Sequence, residues 1–206
     1  MIKRLSIVIG IFCTSVYCLA QQAKEPQKIT RIDNNIRHLA KENMRFISDR
    51  MFSQIKTALY VEYYTNDKQT DTFDQKDYSL ISWYHQLRDT INLVAHINDF
   101  ETEALLLKIF RDTIIVRFFR CSHSTTKIFS LHRKGKLSAC IEVPARKFNL
   151  IISEIPDTLS KQVIFGYIDL ESDHFYQERH HKDRKRTRTS MKFFFRSQFR
   201  RFTYEK

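Results

Sequence analysis

Three imidazoles and a carboxylate fall within eight residues near the end of the chain: His174, Glu178, His180 and His181. On a helix this spacing puts His174, Glu178 and His181 on one face. On a strand it aligns His174, Tyr176, Glu178 and His180 instead. Neutral imidazole and carboxylate together can ligate zinc, or move a proton during phosphodiester cleavage, with Arg179 and Lys182 steadying the charge. Read that way, the chain is a small secreted metal- or histidine-dependent hydrolase or nuclease, with His174, Glu178 and His181 as its catalytic residues. The competing reading is plainer: histidines beside a basic run are surface residues, and the spacing names no metal. His38, His85 and His96 fall in separate segments. His123 and His132 lie in or beside turns and add no partner.

The charge around these residues is lopsided. The formal net charge is +12, and the last 29 residues, 178–206, hold eleven Lys or Arg against three acids. The run 182–188 has five basic residues in seven, and 191–202 interleaves Phe with Lys and Arg. As a strand, it sets Phe193, Phe195 and Phe199 on one face, with Lys192, Arg196, Gln198 and Arg200 on the other. A surface of Lys182, Arg184, Lys185, Arg186, Arg188, Arg196, Arg200 and Arg201 would attract an anionic polymer or anionic membrane surface: lipid, glycan or nucleic acid. This yields the leading functional expectation, a non-enzymatic module whose basic C-terminal surface binds an anionic partner. Two further readings stand beside it: a last strand that closes a sheet, and a structural subunit whose partner is another protein.

Several chemistries are excluded. Beyond residue 20 the chain has only Gly135 and Gly166. A phosphate-cradling loop and a dinucleotide fingerprint both need closely spaced glycines, so no nucleotide cofactor is expected. The glycine-flanked nucleophile elbow is ruled out for the same reason. There is no Cys-x-x-Cys and no His-Glu-x-x-His, which removes zinc ribbons, thioredoxin-type chemistry and zinc-protease helices. No cofactor and no resident metal are predicted. The acidic stretch 65–77 lacks the glycine that a calcium loop requires.

The beginning of the chain indicates where such a surface would work. Met1-Ile2-Lys3-Arg4 is a basic start, residues 5–17 are largely apolar, and Cys18-Leu19-Ala20 puts small residues before Gln21, the pattern of a cleaved secretory signal. The apolar run is short for a membrane span. The expected organisation is therefore a signal over 1–20, a flexible leader over 21–28, and a single domain over 29–206. The mature protein has no transmembrane span and resides in the periplasm, at the envelope or outside the cell.

The elements that must position these residues are read from periodicity. Ile29, Ile32, Ile36, Leu39, Ile47, Met51 and Ile55 recur at steps of three and four, which predicts an amphipathic helix over 30–55. Leu80, Tyr84, Leu87, Ile91 and Val94 predict a second helix over 77–95, in competition with a strand over 90–97. Residues 57–64 alternate as a strand, and 65–77 read as a loop. The runs at 104–110 and 113–119 predict a hairpin, followed by strands over 126–132, 137–143, 148–152 and 163–168. Gly135 is expected to supply a positive φ in a turn, and Pro144 to end a ladder. With strand 126–132 inserted between them, Cys121 and Cys140 would sit two strands apart, which argues against a bridge. The fold class expected is α+β: an N-terminal amphipathic helix, with a possible second helix, packed on an antiparallel β-meander.

Overall fold

A computed structural model describes residues 27–28, 31–48, 53–98, 103–110, 113–122, 126–156, 159, 161–178 and 183–201. Eight of its strands form a ring. They are β4 (Ser53–Thr65), β5 (Lys68–Leu87), β6 (Thr90–Asn98), β7 (Glu103–Phe110), β8 (Thr113–Cys121), β10 (Cys140–Ile152), β11 (Ile164–Ser172) and β13 (Arg184–Phe199). Each pairs antiparallel with the next. The last returns to the first, with Phe193 opposite Leu59 and Thr187 opposite Thr65. The result is an up-and-down barrel, which leaves no edge along its closed girth. The α+β expectation is overturned: among the described residues there is one short helix, α1 (Ile36–Asn43), in a nearly all-antiparallel sheet architecture.

Period-two patterning builds the ring. Ile55, Thr57, Leu59, Val61 and Tyr63 point inward along β4, and Thr187, Thr189, Met191, Phe193, Phe195 and Ser197 along β13. Burial alternates without a break through β11. The interior is filled by Tyr84, Phe118, Phe193, Phe195 and the aliphatic residues between them. The outward face of β4, β13 and β11 carries Glu62, Arg188, Lys192, Asp169 and Glu171.

The differences from the sequence reading have physical causes. Within 30–55 the helix stops at Asn43. β3 (Met44–Ser48) then pairs with β4, where Ile55 packs as a strand residue. The apolar steps of four in 77–95 fit both periods, because residues four apart also share a strand face; Leu80 and Tyr84 are both inward. What separates β5 from β6 there is a turn at Arg88, which takes φ 55° without glycine. The expected loop 65–77 is a strand arm that turns at Asn66 and Asp67, with φ of 49° and 63°. Two successive positive-φ residues match the twist of a tight hairpin.

Within 126–132 only β9 (Phe129–Ser130) is extended, and it pairs with β12 (Phe175–Glu178) outside the ring. β8 and β10 are consequently neighbours, Cys121 faces Cys140 at a Cα separation of 4.1 Å, and the two are disulfide-bonded. With no strand inserted between β8 and β10, the two-strand separation expected for Cys121 and Cys140 does not arise. Pro144 does not end β10. Pairing with β8 finishes at Pro144 and pairing with β11 begins at Ala145, so the proline marks where the strand changes partner. Gly135 donates its amide to the His132 carbonyl in a turn and has no positive φ.

The two ends differ. At one, α1 packs Ile36 and Ala40 against β11 and β13, and Arg37 pairs with Glu154. Nearby, β1 (Gln27–Lys28) pairs with β8 and β2 (Arg31–Ile32) with β10. At the other end, β12 lines up beside the first residues of β13, and the β5 arm over 68–78 pairs with β4 but, among the described residues, with no second strand.

Candidate functional site

A cleft of about 840 Å³ opens at this second end. One wall is the inward face of the β4–β5 arm, contributed by Leu59, Val61 and Tyr63 with Phe73, Gln75 and Tyr78. The other walls come from Ile97 at the end of β6, Arg120 near the end of β8, Gln177 on β12 and Thr187 on β13. Phe73 and Tyr78 meet edge to face at 5.6 Å, and Phe73 keeps 37% of its surface exposed.

Arg120 and its partner Glu103 face each other across β7 and β8 and are buried, at 7% and 0% exposure. Arg120 Nε lies 3.2 Å from Glu103 Oε1, and the Tyr63 hydroxyl donates to Glu103 Oε2 at 2.9 Å. The guanidinium lies 5.4 Å from the Tyr63 ring centre and 5.7 Å from that of Phe129. Removing two charges from water costs several kcal/mol per ion, and apolar residues of similar size would often serve stability as well. The pair therefore contributes polarity at the cleft floor rather than extra cohesion.

The remaining polar groups of the cleft are mixed. Lys56 and Arg120 are balanced on the lining by Asp71 and Asp77. Gln177 Oε1 is buried and has no hydrogen-bond partner among the described residues. Isolated acceptors of this kind are uncommon in folded proteins, because each forfeits its hydration for nothing in return.

Of the predicted catalytic residues, His174 and Glu178 are held in separate contacts. His174 leads into β12 and contacts Asp67 at 3.1 Å and Arg186 at 2.9 Å. Glu178 ends β12 against Arg184 at 3.2 Å. Four residues of extended chain separate His174 from Glu178, roughly 13 Å, and His181 lies outside the described residues. No group of three or more His, Cys, Asp or Glu among the described residues could hold a metal ion.

Three residues of the predicted cationic surface, Arg184, Arg186 and Arg188, are paired with the protein's own carboxylates. Arg184 meets Glu178 and two backbone carbonyls, those of Arg133 and Gly135. Arg186 meets Asp67 at 3.6 Å, Arg188 meets Glu171 at 3.2 Å, and Lys192 meets Asp169 at 3.3 Å. Arg188 also lies 3.7 Å from the centre of the Tyr64 ring. Arg196 donates to Ser53 and covers Phe46. Lys185 is half-buried, Arg200 closes on the Tyr84 carbonyl through its amide, and Arg201 is exposed. Lys182 lies outside the described residues.

Hydrogen bonds hold Glu62 ionised below the usual carboxylate range: the Tyr60 and Tyr64 hydroxyls both donate to it. Asp67 is likewise lowered, first by its bond to His174.

The sequence reading passed over Tyr63, Glu103, Arg120 and Gln177. A signal for two of them was present. Period two places Glu103 on the face of Leu105, Leu107 and Ile109, and Arg120 on that of Val116 and Phe118, so each is a lone charge on an apolar face. No known protein family, curated protein or solved structure matches the chain.

Proposed function

We propose that this chain is an exported, non-enzymatic binding protein that takes a small ligand into the cleft at the open end of its barrel. The observation that carries the reading is the buried Glu103–Arg120 pair, whose Arg120 lines the open cavity. Small-molecule sites are concave, about 300–1,000 Å³, with a few fixed polar groups among apolar walls. Leu59, Val61, Ile97 and Phe73 supply the apolar walls here, and Arg120, Gln177 and Gln75 the polar ones. The β13 cations give less support to an anionic partner on the outer surface, because the protein's own carboxylates already engage Arg184, Arg186, Arg188 and Lys192. A hydrolase gains no support from His174 and Glu178, which serve separate contacts.

The binding reading is tested by screening the mature protein for ligand-induced thermal stabilisation and repeating the screen on Val61→Trp, whose indole would project into the cleft. Ligands should stabilise the parent and lose that effect on the variant. Stabilisation that survives unchanged would remove the cleft from consideration. Export is tested separately by intact mass of the expressed full-length chain, expected to begin near Gln21; an uncleaved protein would oppose it.

A further inference from the structure

From the chemistry of the lining we infer that the cleft takes a neutral, polyhydroxylated ligand, a short oligosaccharide, an inference that rests on the cleft being the binding site. Charge is the first argument. Lys56 and Arg120 are matched by Asp71 and Asp77, and Glu103 stands behind Arg120, so neither sign dominates. A strongly anionic or cationic ligand would leave its charge uncompensated on giving up its hydration.

Polarity is the second. An acyl chain needs continuous apolar walls, and here Thr70, Gln75 and Gln177 interrupt them. Gln177 Oε1, without a partner among the described residues, asks for a donor, which an alcohol hydroxyl provides while also accepting from a neighbour. Aromatic geometry is the third. Tyr78 braces Phe73 edge to face, leaving Phe73 partly open. The electron-rich face of an aromatic ring attracts the weakly positive C–H groups that line one side of a pyranose. Rings for the C–H faces and amides for the hydroxyls occur here in one cavity, with no net charge on its lining.

Isothermal titration of the mature protein with maltotetraose, cellotetraose and tetra-N-acetylchitotetraose is the test, with dodecanoate and a heparin fragment as charged controls. At least one neutral oligosaccharide should bind, with Kd below about 1 mM. Phe73→Ala and Gln177→Ala, each verified as folded by circular dichroism, should weaken that binding at least about tenfold. If only dodecanoate or heparin binds, and Val61→Trp abolishes it, the cleft stands and the ligand class is wrong. If none of the five probes binds, the oligosaccharide assignment falls. If an oligosaccharide binds and Val61→Trp leaves it unaffected, both the assignment and the cleft are overturned.

Discussion

An ideal Cβ on Gly166 would lie 2.2 Å from Phe195 Cζ and under 3 Å from both neighbouring ring carbons. The two residues are directly opposed on β11 and β13, so the ring occupies the space that a side chain at 166 would need. Gly166→Ala should destabilise the protein by about 3 kcal/mol, the upper part of the range for overpacking. Phe195→Leu in the same chain should recover part of the loss, measured by urea unfolding. At Arg120 the sign of a double substitution is informative. Arg120→Met strands Glu103 in the interior and should cost roughly 3–5 kcal/mol, whereas Glu103→Leu with Arg120→Met should cost far less. Parity between the single and double variants would show that the carboxylate is not desolvated.

His96 makes a pH prediction. Its ring stacks on Trp83 at 5.4 Å, and burial pushes its pKa from 6.5 down to about 4. Above pH 6.5 neither the folded nor the unfolded chain carries the proton. Below it, the unfolded chain takes one up and the folded chain does not, so stability falls as the pH drops from about 6.5 towards 4. Because the residue keeps some solvent contact, the loss at pH 5 should be at most about 2 kcal/mol. His85 is lowered in the same direction by burial and adds to the loss. Substituting His96→Phe preserves a stacked ring and should flatten part of this dependence. An unchanged slope between pH 7 and 5 would place the titration elsewhere.

At the scale of elements, β13 shows why a cationic run is poor evidence for a cationic surface. Its outward residues stand between β4 and β11, whose outward positions supply Glu62, Asp169 and Glu171. Arg188→Glu would replace a stacked, paired guanidinium with a third carboxylate and should cost about 1–2 kcal/mol in urea unfolding. Ligand affinity at the cleft should not change.

The strand character of 57–64, 113–119, 148–152 and 163–168 was legible, because alternation over β-branched and aromatic residues has few other meanings. The split of 77–95 was not, because a step of four serves both helix and strand and the turn at Arg88 lacks glycine, proline and asparagine. The 68–78 arm was hidden for a different reason: its side chains stay exposed, and the backbone ladder to β4 holds it extended. The bridge between Cys121 and Cys140 depended on which strands are adjacent, a fact about topology that local pattern does not contain. Glu103 and Arg120 could have been read as charges on apolar faces, but their meeting required the β7–β8 register.

Closure governs the whole molecule. Every ring strand finds two neighbours only because β13, the last element, returns to β4, the first strand of the ring; residues far apart in sequence must therefore meet before the ladder is complete. Such long-range pairing predicts slow folding and a single cooperative transition, since no part of the ring buries its apolar face alone. Ending the chain at Asp183 would remove Met191, Phe193 and Phe195 from the interior and open two apolar, unpaired edges at β4 and β11. The truncated protein is expected to lose its cooperative thermal transition and to aggregate on size-exclusion chromatography. Phe193→Asp should produce the same outcome in a full-length chain, by placing an unpaired carboxylate where Leu59 and Ile168 converge. A monomeric, cooperatively melting chain 21–183 would mean that the other seven strands form a stable sheet by themselves, and that β13 contributes to the surface rather than to the fold.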